Sequence, residues 1–131
     1  MKKNTYFAVF EKTKTGFSVY FPDVPGCITC GGNFEHSLRM AEEVLGLHLY
    51  SIEKDGGQFP QRTDTIPELG SGDIVAAVTV FPALVKDEME NRRVKTNVTI
   101  PYWLKTAAEA EGLNYSRLLE NAIKETLGIA S

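Results

Sequence analysis

The chain has 131 residues, 43% of them hydrophobic and 24% charged, with a formal net charge of −3. That suffices for one full domain, or a small domain with an appendage, and it argues against wholesale disorder. No apolar run is long enough to span a bilayer, and Met1-Lys2-Lys3-Asn4 leads into a strand pattern instead of a signal-peptide core, so a cytoplasmic location is the default expectation.

Residues 5–10 (TYFAVF) and 16–21 (GFSVYF) are rich in aromatic and β-branched side chains and read as strands. The polar link 11–16 ends in Gly and predicts an antiparallel hairpin. Phe21-Pro22-Asp23-Val24-Pro25-Gly26 is a turn, with two prolines fixing φ. Residues 27–30 supply a short third strand, broken by Gly31-Gly32, and Asn33 caps a helix from Phe34 to about Lys54. Along it Phe34, Leu38, Ala41, Leu45, Leu49 and Ile52 recur at spacings of three and four, with Glu35 favourably placed in the first turn. Asp55-Gly56-Gly57 ends the helix, and 58–72 is an exposed loop bearing Pro and Gly. Residues 73–81 (DIVAAVTVF) form a nearly continuous apolar strand, which predicts a central position covered on both faces. The order is β-β-β-α-β, followed by an acidic linker over 82–92.

In residues 94–100 the even positions are Val94, Thr96, Val98 and Ile100, and the odd ones Lys95, Asn97 and Thr99. Such a strand has one face that wants a core and one that carries hydrogen-bonding groups. Pro101 suits the first position of a helix whose face holds Leu104, Ala107, Ala108 and Glu111, and Gly112 stops it at C′. Asn114 caps a second helix with Leu118, Leu119, Ala122, Ile123 and Leu127 as its apolar stripe. No second strand pattern lies close by, so the economical partner is the same strand of a second chain, in a two-fold antiparallel ribbon. An ordinary half-solvated edge strand is the plain reading of 94–100 alone; the Pro-started helix and the capped second helix favour the ribbon. Such a ribbon fits the DNA major groove and presents Lys95, Asn97 and Thr99 twice to base edges. Val94, Val98, Ile100, Leu104, Leu118, Leu119 and Ile123 would form the dimer core. The second helix offers phosphate contacts at Asn114, Tyr115 and Ser116, while Arg117 is either another such contact or a solvated helix residue. The alternating strand, the Ile-Pro junction, the Gly-Leu-Asn-Tyr-Ser turn and the Leu-Leu-x-x-Ala-Ile helix closely resemble the ribbon-helix-helix family of dimeric DNA-binding domains.

The front half carries a second resemblance. Tyr-Phe-Ala-Val-Phe, Gly-Phe-Ser-Val-Tyr-Phe-Pro-Asp-Val-Pro-Gly-Cys and Gly-Gly-Asn-Phe-Glu-His-Ser-Leu-x-x-Ala-Glu-Glu look like the HicB antitoxin family. The resemblance implies an α+β chain: a β-β-β-α-β reduced relative of the RNase H fold at 1–81, a linker at 82–92, and a ribbon-helix-helix (β-α-α) domain at 93–131. It further implies that the front domain neutralises a HicA-type mRNA-cleaving toxin and that the tail represses the shared operon as a homodimer, with tetramers allowed. One departure is a second cysteine at 30, where the family favours Thr, Ser or Gln. The alternative is a transcriptional regulator whose α+β domain senses a ligand, with no toxin partner. Charge suits two partners of opposite sign: residues 1–90 hold eight basic against thirteen acidic side chains, and residues 91–131 six against four.

No catalytic, cofactor or metal residues are expected. Cys27-x-x-Cys30 has no second ligand pair for zinc, and it lies in a strand where residues three apart point to opposite faces. His36 and His48 are twelve residues apart on one helix. Gly31-Gly32-Asn33 lacks the Gly-Lys-Ser/Thr of a phosphate loop. A nuclease would need several carboxylates on adjacent strands, yet only Glu11, Asp23 and Asp73 stand at strand ends or turns.

Overall fold

Four strands, β1 (Asn4–Lys12), β2 (Phe17–Tyr20), β3 (Ile28–Gly31) and β4 (Ile74–Val80), form one antiparallel sheet in the order β3-β2-β1-β4. The coordinates are a computed structural model that describes residues 1–129. The chain divides into two compact units, Met1–Arg93 and a second beginning at Val94.

In the first unit the period-2 pattern decides which side chains meet the long helix α1 (Phe34–Lys54). Tyr6, Ala8 and Phe10 of β1, Phe17 and Val19 of β2, and Val78 and Val80 of β4 join Ala41, Leu45 and Leu49 of α1 in one core. Phe21, Val24 and Cys27 complete it from the turn after β2. Phe34 packs against Phe10 and edge-on to Phe17, with ring centroids 5.0 and 6.1 Å apart. α1 starts as the sequence predicts: the Asn33 side chain accepts from the His36 amide at 2.8 Å, and Ser37 Oγ donates to the Asn33 carbonyl.

Three expectations are corrected. β4 is not central; it is the terminal strand, bonded to β1 alone, with Ile74, Ala77 and Thr79 exposed. A run of Val, Ile and Ala reads the same in a buried strand and at an apolar edge. The predicted linker contains a helix, α2 (Pro82–Glu90), with Pro at its first turn, and it packs on α1. Gly46 of α1 lies at the contact: a Cβ there would sit 3.1 Å from Val85 Cγ2, a tight fit. The first hairpin is also tighter than predicted, because β1 continues through Glu11 and Lys12 and the Thr13 amide donates to the Gly16 carbonyl.

The second unit holds α3 (Tyr102–Ala110) and α4 (Tyr115–Leu127). Pro101 is the N-cap of α3 and not its first helical residue, while Gly112, at φ 63, ends it. Gly112 and Leu113 amides donate to the carbonyls of Glu109 and Ala108, which satisfies two orphan acceptors of the helix end. Residues 92–100, expected to include a strand, adopt no regular secondary structure. A single chain gives that segment no ladder to join.

Candidate functional site

The tail is the part of the chain whose apolar surface is out of proportion to what it buries. Ala108 is the one buried hydrophobic side chain of the second unit among the described residues. Of the predicted dimer-core residues, Val94, Val98, Ile100, Leu104, Leu118 and Ile123 are exposed, Val98 by 61%, and Leu119 is half-buried. Tyr102 and Trp103 are exposed as well, Trp103 by 69%. Segments below about 40 residues rarely hold a core alone, and covering each Val, Leu or Ile is worth roughly 1.5–3 kcal/mol. So many exposed apolar side chains leave this small unit with little core of its own.

Lys95, Asn97 and Thr99 are all exposed in the segment preceding α3. The N-terminus of α4 is built as predicted: the Asn114 side chain accepts from the Arg117 amide at 3.1 Å, and the Leu118 amide donates to the Asn114 carbonyl. The amides of Tyr115 and Ser116, ahead of them, have no carbonyl within the helix to bond. Tyr115 Oη is directed back to the Lys105 carbonyl at 3.4 Å, tying the start of α4 to α3. Lys105 and Lys124 pair along their helices with Glu109 and Glu120 at 3.9 and 3.6 Å. The arrangement offers an anion a helix N-terminus with exposed Ser116 and Arg117 side chains beside it.

In the first unit two of the three carboxylates at strand ends and turns, Asp23 and Asp73, fasten a loop. Asp23 accepts from the Thr63 amide and hydroxyl at 3.0 and 2.8 Å. Asp73 accepts from the Lys12 and Gly70 amides at 2.9 and 2.8 Å. Both pin the loop between α1 and β4, and Tyr6 Oη adds a third tie, donating to the Pro60 carbonyl at 2.6 Å. Burial raises the Tyr6 phenol pKa, and the Asp23 charge raises it further. Among the described residues no group of three or more His, Cys, Asp and Glu side chains could hold a metal ion. Cys27 is buried, its thiol pushed up to about 11 by desolvation, whereas Cys30 is exposed. His36 Nδ1 accepts from the Gly32 amide at 3.2 Å, a capping role at the start of α1.

One surface feature escaped the sequence because α2 did: an open groove of about 880 Å³ between α1 and α2. Gly46, Leu47, Val85 and Met89 line it, with Glu42, Glu43 and Glu88 beside two arginines, Arg39 and Arg92. The helical spacing of Val85 and Met89 was its signal. No described helix is long and apolar enough to cross a membrane.

The chain matches a family model over residues 6–122, that of the HicB-like antitoxin of bacterial toxin–antitoxin systems. It is 44% identical over 46 residues to antitoxin HicB 2 of Photorhabdus laumondii, covering 34% of this chain and 33% of that one. The crystal structure of antitoxin HicB3 is similar at 28% identity and a TM-score of 0.52, covering 98% of this chain and all of that one. A chain of a toxin–antitoxin complex from Streptococcus pneumoniae shares the fold at 23% identity and a TM-score of 0.60, covering 95% of this chain and 99% of that one.

Proposed function

From its membership of the HicB-like antitoxin family, which is non-enzymatic and which it matches over residues 6–122, we propose that this chain binds and neutralises a HicA-type mRNA-cleaving toxin and represses its own operon. The first unit covers the toxin; the second pairs with a second copy and binds operator DNA. Occlusion needs no chemistry from the antitoxin, and Asp23 and Asp73 are engaged in hydrogen bonds that fasten a loop. The acidic balance of residues 1–90 favours encounter with a basic RNA-binding surface.

The observation that carries the DNA-binding half is the exposed apolar side of the tail beside exposed Lys95, Asn97 and Thr99. Two copies joined through residues 94–100 would gain the missing ladder and cover Val94, Val98, Ile100, Leu104, Leu118 and Ile123. The resulting ribbon would put three polar side chains from each copy into the major groove. Asn bonds adenine bidentately, Lys reaches guanine, and Thr packs on a thymine methyl.

The test is the triple variant Lys95→Ala, Asn97→Ala, Thr99→Ala. It should keep the dimer and lose specific operator binding, at about 1–3 kcal/mol for each good base contact. Toxin neutralisation in a co-expression growth assay should be unchanged. Intact operator affinity would refute readout by the ribbon, and lost neutralisation in a folded dimer would refute the division of labour. Co-purification of a small basic protein encoded beside this gene separates the proposal from a regulator that has no toxin partner.

A further inference from the structure

The second unit, from Val94 on, carries no net charge. Its basic side chains, Lys95, Lys105, Arg117 and Lys124, are matched in number by Glu109, Glu111, Glu120 and Glu125. Two of these cations are also taken up along their helices, Lys105 by Glu109 at 3.9 Å and Lys124 by Glu120 at 3.6 Å. That leaves Lys95 and Arg117 for a polyanion whose hold on a protein comes chiefly from phosphates neutralised by Lys and Arg. The positive excess of residues 91–131 comes entirely from Arg92 and Arg93. Both are exposed, and both follow the end of α2 at Glu90, in the segment 92–100 that takes no regular secondary structure.

We infer that Arg92 and Arg93 form a phosphate-binding arm, so that the DNA-binding part of the chain begins ahead of the compact tail. The inference rests on the proposed ribbon of residues 94–100, and chain continuity carries it. The major groove is about 12 Å wide and admits a helix or a two-stranded ribbon. The first unit runs to Arg93 and is far too large to follow, so the chain must leave the groove just before Val94. On its way out it passes the sugar–phosphate wall. Between the end of α2 and the ribbon stand only Asn91, Arg92 and Arg93, roughly 10 Å of extended chain. Arginine suits that place, because its planar fork grips phosphate oxygens in pairs and it is always charged. In a two-fold antiparallel ribbon one arm stands at each end. The arms fix position and attach the protein, and base readout stays with Lys95, Asn97 and Thr99. Arg92 also lines the groove between α1 and α2, and an arginine committed to that groove would leave DNA binding unchanged when replaced.

Titrations of the full-length chain against operator and random DNA, over a series of salt concentrations, test this. Each phosphate neutralised adds about −0.9 to the slope of log K against log salt. Arg92→Gln with Arg93→Gln removes two cations from each copy. It should flatten the slope of the dimer by about 3 to 4 and weaken both kinds of DNA by the same factor, at least ~10-fold at low salt. Arg92→Lys with Arg93→Lys should restore most of the slope, because each charge is kept. Sedimentation should show the dimer intact in both variants, and toxin neutralisation should be unchanged. An unchanged slope in the Gln variant, a loss confined to the operator, or a loss that the Lys variant does not restore overturns the arm. Absence of DNA binding by the unaltered chain refutes the reading of the tail and the arm with it, whereas an unchanged slope refutes the arm alone.

Discussion

At the scale of single residues, two positions make sharp claims. Gly31 lies under the first turn of α1, where an added Cβ would fall 2.5 Å from Ser37 Oγ and 2.7 Å from its backbone. Ser37 is fully buried and held to Asn33, so it cannot retreat. Gly31→Ala should therefore destabilise the first unit by about 1–3 kcal/mol, as overpacking does, read as a lower denaturant midpoint at unchanged slope. The two cysteines should part company in reactivity: a maleimide labels Cys30 in the native protein and leaves Cys27 untouched until the chain unfolds. Cys27 also fixes a pH dependence. Burial pushes its folded pKa up to about 11, above the thiol's ordinary 9.0, so the folded chain keeps a proton that the unfolded chain has released. Its contribution to stability is whole below pH 9 and declines as pH rises from about 9 to 11. Cys27→Ala should flatten that decline in a series of thermal melts.

Among elements, the tail segment 94–100 and β4 present the same problem in two forms, a row of backbone groups with too few partners. Among the described residues the tail joins no ladder, and Ala108 is its one buried side chain. Val98→Pro removes a ladder donor from the proposed ribbon and imposes a ring where the partner chain must approach. We expect sedimentation at micromolar concentration to show the tail interface lost and operator binding abolished. A folded monomer formed by residues 91–131 of the unaltered sequence would overturn the ribbon. α2 illustrates a different point: a nine-residue helix with an ordinary acidic composition packs on α1 where Gly46 meets Val85 closely.

For the whole molecule, the chain divides at Arg93 into two compact units, the first with ten basic against thirteen acidic side chains and the second with four against four. Each job should therefore be removable without the other. Ser116→Glu puts a negative charge at the N-terminus of α4, where the proposal places a DNA phosphate. We expect it to weaken binding to every DNA sequence by a similar factor, unlike the triple substitution at 95, 97 and 99, which should erase the difference between operator and random DNA. Titrations against both kinds of DNA at two salt concentrations distinguish the patterns, and unchanged affinity at low salt would refute the phosphate site. Neutralisation of the toxin should be insensitive to this substitution.

What the sequence determined by itself is local: strands where aromatic and β-branched residues alternate, α1 from the spacing of Phe34 to Ile52, caps at Asn33 and Asn114, and the stop at Gly112. These rest on side chains acting on backbone within a few residues, so the order of residues contains them. The motifs of the front half were legible for the same reason, and the match over residues 6–122 agrees with them. Only the tertiary structure decided that β4 lies at the edge, that Gly46 and Val85 dock a helix onto α1, and that Asp23 and Asp73 fasten a loop. Each of these joins residues far apart in the chain, such as Asp23 with Thr63 or Lys12 with Asp73. Strand order is likewise a matter of which ladder each strand finds, and an apolar run such as Ile74–Val80 carries the same pattern wherever the sheet places it.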